Sequence, residues 1–100
     1  VAQVILSEHL ERDFDRIFDF LFEHAPQAAA ERFESIIAAL DVLHASPLIG
    51  RPIEHGKREL IIATGTSGSV ALYQYLPQVD IVFVLAVRSQ RELRPGAATL

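Results

Sequence analysis

The chain has no cysteine, which excludes disulfides, thiolate zinc sites and cysteine nucleophiles together. A small domain that manages without such staples fits a reducing cytoplasm. Long apolar runs are also missing. The longest is the seven residues from Ile81 to Val87, far short of the ~20 that a bilayer-spanning helix requires. No basic stretch followed by an apolar one opens the sequence, so no signal peptide is expected. Charge is modest at 22 %, against 50 % hydrophobic residues, a globular rather than a disordered composition. One hundred residues make a single domain over 1–100, with 94–100 aperiodic and expected to be a loose tail.

The net charge of −4 argues against broad coating of nucleic acid. It hides an asymmetry. Residues 1–46 carry nine acidic and three basic groups, whereas 47–100 carry four acidic and six basic. An anionic partner should therefore meet the second half.

Hydropathy patterning predicts the elements. Gln3-Val4-Ile5-Leu6 reads as a strand, and Ser7 stands where an N-cap would. Leu10, Phe14, Ile17, Phe18 and Leu21 then recur at helical spacing up to Glu23 or His24. Pro26 suits the first turn of a second helix with Ala29, Phe33, Ile36, Ile37, Leu40 and Leu43 as its stripe, ended by Ser46-Pro47. The link is short enough to force an antiparallel helix hairpin.

Residues 47–56 read as a loop. Leu60–Ile62, Val70–Leu76 and Ile81–Val87 then read as strands, with Gly65–Gly68 and Pro77–Asp80 as turns between them. Such connections allow only hairpins, hence a three-stranded antiparallel meander. The fold class is α+β, an N-terminal strand and a helix hairpin packed on one face of that meander. Ile81–Val87, apolar on both faces, should be central or covered.

Most familiar chemistries find no support. His9, His24, His44 and His55 stand 15, 20 and 11 residues apart and form no ligand pattern, so neither a metal nor a cofactor is expected. Gly65-Thr66-Ser67-Gly68 precedes a strand, not the helix N-terminus that a phosphate cradle needs. No Gly-x-Ser-x-Gly elbow surrounds any serine. Glu8, Glu11, Asp13, Asp15 and Asp19 alternate with Arg12 and Arg16 and read as a solvated helix face.

Two features remain open. Lys57 and Arg58 open one strand, while Arg88, Arg91 and Arg94 lie at and beyond the end of another that points the same way. Arg88, Gln90, Arg91 and Glu92 are either a charged strand exit or a contact surface. The apolar arc of the first helix, with Phe14, Phe18 and Phe22, is either plain core or the dock for a partner helix or an added edge strand.

Several stretches resemble the toxins of the RelE/ParE superfamily. They are Ser7–Ile17 with its Asp13-Phe14-x-x-Ile17, then Pro26–Ala29 and Ser46-Pro47-x-x-Gly50-Arg51-Pro52, then Arg58-Glu59-Leu60, Val70–Tyr75 and Val84–Glu92. The likeness covers about residues 2–93, and its fold has the same element order. It implies the toxin half of a bacterial type II toxin–antitoxin pair, associated with plasmid stabilisation and growth arrest, and neutralised by a cognate, ParD-like antitoxin.

The RelE-like branch of that superfamily cleaves messenger RNA on the ribosome, and the ParE-like branch is associated with inhibition of DNA gyrase. The nuclease branch typically ends in Tyr or His-Tyr, whereas no Tyr or His follows Tyr75 here. Arg88-Ser89-Gln90-Arg91-Glu92 is similar to the Arg-His-Gln-Arg-Glu of the ParE-like branch, with Ser89 in place of the histidine. The resemblance thus implies a non-enzymatic gyrase inhibitor that meets its target through Arg88, Gln90, Arg91 and Glu92. Its antitoxin would sit on Phe14, Phe18, Phe22 and Phe33. The alternative is a ribosome-dependent endoribonuclease with Arg58, Arg88 and Arg91 on phosphate and Glu92 or His55 as base. A non-toxic relative that acts only as a binding partner is the third reading.

Overall fold

A computed structural model describes residues 1–24, 26–62 and 68–89. The elements are β1 (Gln3–Leu6), α1 (Glu8–His24), α2 (Ala29–Val42), β2 (Arg51–Pro52), a 3-10 turn (Glu54–Gly56), β3 (Lys57–Ile61), β4 (Ser69–Leu76) and β5 (Ile81–Ser89). The sheet order is β1-β5-β4-β3-β2. The β3–β4–β5 meander is antiparallel. β1, however, joins β5 in parallel, Gln3 opposite Ile81 and Leu6 opposite Val84, so the five-stranded sheet is mixed rather than purely antiparallel. No local turn marks a pairing across so much chain. β2, a two-residue strand inside the expected loop, pairs with β3.

Other boundaries shift for local reasons. Pro26 lies in the interhelical turn, and α2 starts three residues later at Ala29. β3 begins at Lys57 rather than Leu60, because Lys57, Arg58 and Glu59 already pair with Gln74, Tyr73 and Leu72 of β4, a partnership that their polar side chains do not announce. Residues 63–67, which hold most of the expected Gly65–Gly68 turn, and the tail from 94 lie outside the described residues. The β4–β5 turn ends on Asp80 at a φ of 54°, and its carboxylate accepts a hydrogen bond from the Tyr75 hydroxyl at 2.7 Å.

The helices cover one face of the sheet. Leu10, Ile17 and Leu21 of α1 and Ala29, Ile36 and Leu40 of α2 close over Ala71, Tyr73, Val82, Val84 and Val87. Each large aliphatic side chain so buried contributes about 1.5–3 kcal/mol. β5 lies inside the sheet, between β1 and β4, as its two apolar faces imply.

Its alternation breaks once. A bulge lets Leu72 face Ala86 while Tyr73 faces Val84, leaving Leu85 as the extra residue. Val82 and Val84 point at the helices, and beyond the bulge it is Val87 that does so. Arg88, opposite Val70, is thereby delivered to the open face.

Candidate functional site

β1 is shorter than β5 and pairs with it only as far as Val84. The remaining β5 edge is completed by Ser7 and by two side chains of α1. The Ser7 amide donates to Val84 O at 3.0 Å, and its hydroxyl donates to Leu85 O at 2.9 Å. Ser7 thus sits before the helix as expected, but its side chain serves the sheet. Asp13 Oδ2 accepts the Val87 amide at 3.0 Å, and the Arg16 guanidinium reaches Val87 O at 3.4 Å. Unpaired edge groups invite other strands, and here they are occupied.

Asp13 corrects the expectation of a wholly solvated acidic face. Its side chain is only 4 % exposed and forms ion pairs with Arg16, at 3.2 Å, and with Arg88. The signal was in the spacing: Asp13 follows Leu10 by three residues and precedes Ile17 by four, so it lies on the buried stripe. A buried carboxylate persists when it is paired and hydrogen-bonded, and three donors do that here.

Arg58 occupies a different place. It stands opposite Tyr73, on the helix-facing side of β3, and donates to Gly50 O at 2.7 Å and Leu48 O at 3.2 Å. The buried Tyr73 hydroxyl accepts the Gly50 amide at 2.8 Å. Together these residues clamp residues 48–50 onto the sheet. Burial raises the Tyr73 pKa above its ordinary 10.0, against the smaller opposing effects of the Gly50 amide and the Arg58 charge.

Arg58 and Arg88 therefore do not converge. Their β4 partners, Tyr73 and Val70, are three residues apart, roughly 10 Å, and face opposite sides of the sheet. On the open face, Glu59, Val70, Leu72, Ala86 and the Arg88 stem line a hollow of about 270 Å³. Glu59 is ion-paired with Arg51 across the β2–β3 pair. His55 is exposed at a φ of 63° in the 3-10 turn. Gln90, Arg91 and Glu92 lie outside the described residues. Among those described, no three His, Asp or Glu side chains gather as metal ligands. No described helix is long and apolar enough to cross a membrane.

The four phenylalanines do come together. Phe33 of α2 meets Phe14 and Phe18 of α1 edge-on, with ring centroids at 5.3 and 5.5 Å, and Phe18 meets Phe22 at 4.5 Å. Phe14 and Phe33 pack partly against the core, whereas Phe18 and Phe22 are 40 % and 46 % exposed.

An N-terminal strand, a helix hairpin and a mixed five-stranded sheet are the architecture of the RelE/ParE superfamily of toxins. The sequence pattern described as "ParE toxin of type II toxin-antitoxin system, parDE" matches residues 4–94, and the chain belongs to that family.

Among its relatives, "Toxin RelE1" of Caulobacter vibrioides is 38 % identical over 73 residues, which cover 73 % of this chain and 78 % of that one. "Toxin RelE3" of the same organism is 28 % identical over 94 % of this chain and all of that one. A chain from the structure described as "Chromosomal ParDE TA system from P. aeruginosa" shares the fold with a TM-score of 0.72 at 20 % identity, covering 88 % of this chain and 95 % of that one.

Proposed function

We propose that this toxin is a ParE-like inhibitor of DNA gyrase, acting in the cytoplasm as a single domain and neutralised by a cognate antitoxin. Arg88 at the β5 exit and Gln90, Arg91 and Glu92 just beyond it make the target contact. Phe14, Phe18, Phe22 and Phe33 make the antitoxin contact.

One observation carries the choice between branches. Cleavage through a 2′-hydroxyl needs a base, an acid and cations converging on one phosphate. Arg58 leaves β3 on the helix-facing side and is bound to Gly50 O. Arg88 leaves β5 on the open side and its guanidinium turns back to Asp13 at the β5 edge, so each is already bound to a different protein acceptor. That separation supports inhibition by binding rather than by catalysis. The Asp13 pair gives Arg88 a second duty, as the anchor that fixes how β5 leaves the sheet.

The test is growth arrest on induction of Arg88→Ala with Arg91→Ala. Loss of arrest with antitoxin binding retained is the expected result, and wild-type arrest refutes this contact surface. The ribonuclease reading keeps the support of the RelE names of the two Caulobacter vibrioides relatives, at 38 % and 28 % identity. Mapping RNA ends after induction separates the two, since codon-phased cuts belong only to the nuclease.

A further inference from the structure

The Arg88 side chain starts along the open face of the sheet, and its head folds over the β5 edge to Asp13. Every bond it makes within the described residues runs through one nitrogen. Nη1 donates to Asp13 Oδ1 and reaches Val87 O at 3.4 Å. Among the described residues Nη2 and Nε have no acceptor, and the side chain is 41 % exposed. The Nε–Nη2 edge is therefore a free pair of donors, in the fork geometry that a carboxylate accepts with both oxygens.

Asp13 keeps that edge in place. Its buried carboxylate is itself fixed, because Oδ2 accepts the Val87 amide at 3.0 Å. An arginine so held has already given up much of the rotamer freedom that binding would otherwise cost. Beside its stem, Glu59, Val70, Leu72 and Ala86 complete the hollow of about 270 Å³, with room for one apolar side chain.

Charge decides which partner fits. Arg16, Arg51 and Arg88 against Asp13 and Glu59 leave one net positive charge around the site. A nucleic-acid backbone is held by several uncompensated cations, and two carboxylates beside the site would repel successive phosphates. A single carboxylate next to an apolar side chain matches both the charge and the hollow.

Resting on the gyrase contact proposed above, we infer that Arg88 takes an aspartate or glutamate of gyrase on its Nε–Nη2 edge. The hollow takes an apolar side chain a few residues away in the same gyrase segment, and Asp13 is the positioning residue. Lysine at position 88 would keep the charge and lose the fork.

The experiment measures the affinity of the purified full chain for the gyrase holoenzyme, with thermal melts confirming that each variant is folded. Arg88→Lys should bind at least tenfold more weakly, and so should Ala86→Glu, which puts a carboxylate into the hollow. Gln78→Ala, at an exposed turn position, should match the wild type. Asp13→Asn should cost at least threefold alone and nothing further in Arg88→Ala, since a positioning residue acts only through its partner. Losses that add instead overturn that role.

Wild-type affinity in either Arg88→Lys or Ala86→Glu overturns the carboxylate socket and leaves the gyrase reading standing. Absence of any complex with the folded wild type overturns the gyrase reading and this inference with it. A single-stranded RNA oligonucleotide is the second probe. Binding of it that Arg88→Ala abolishes assigns the arginine to phosphate and refutes the proposal.

Discussion

Replacing Asp13 with alanine should cost more stability than replacing any other carboxylate on α1. The buried side chain accepts the Val87 amide at 3.0 Å and pairs with Arg16 and Arg88. Its loss leaves the Val87 N–H without a partner, a penalty of about 1–3 kcal/mol. The lost charge-assisted bonds add about 1.5–3 kcal/mol, reduced because the arginine side chains are 41–42 % exposed and regain water. A net loss of about 3 kcal/mol follows, a large share of the ~5–15 kcal/mol that holds a domain together. In a chain of this size that lowers Tm by on the order of 15 °C.

Asp15 provides the control. It is exposed two residues away, and alanine there should change stability by less than about 0.5 kcal/mol. Urea unfolding of the two variants, with Asp13→Asn as an intermediate case that keeps one acceptor oxygen, reads the difference directly. Equal midpoints for Asp13→Ala and Asp15→Ala would refute the claim that α1 completes the β5 edge.

The remaining predictions concern the clamp on residues 48–50. A Cβ at Gly50 would lie 2.6 Å from two atoms of the Tyr73 ring and hydroxyl and 2.9 Å from Glu59 O, so Gly50→Ala should destabilise by about 2 kcal/mol or more; unchanged urea unfolding contradicts it. The Tyr73 hydroxyl has its pKa raised by burial, so the fold favours the neutral phenol. That contribution is fully present below about pH 10 and is lost as pH rises through the folded-state value. Melts between pH 8 and 11 should therefore show an alkaline loss of stability that Tyr73→Phe reduces. The same variant should be about 1 kcal/mol less stable at neutral pH, because the Gly50 amide loses its acceptor.

The elements most legible in the sequence were those with local signals. The 3.6-residue recurrence of Leu10, Ile17 and Leu21 and the β-branched run of β5 each declare an element within a short window. The parallel β1–β5 pairing joins residues 3–6 to 81–84 with no turn to announce it. The bulge at Leu72/Tyr73 is equally silent, yet it decides which face Arg88 takes.

Within the site, the basic residues were visible but their faces were not. Arg58 shares the parity of Leu60, the inward residue two places on, and that spacing was enough to turn it from the open face. Asp13 was similarly readable as a member of the buried stripe. Its donors were not, because two of them sit at the far end of the chain.

Supercoiling of relaxed plasmid by DNA gyrase distinguishes a ParE-like inhibitor from every other reading of this toxin. With the purified, antitoxin-free chain titrated in, inhibition or trapped cleaved DNA that added antitoxin reverses is the expected result. Full supercoiling in the presence of a folded, antitoxin-competent sample would contradict it.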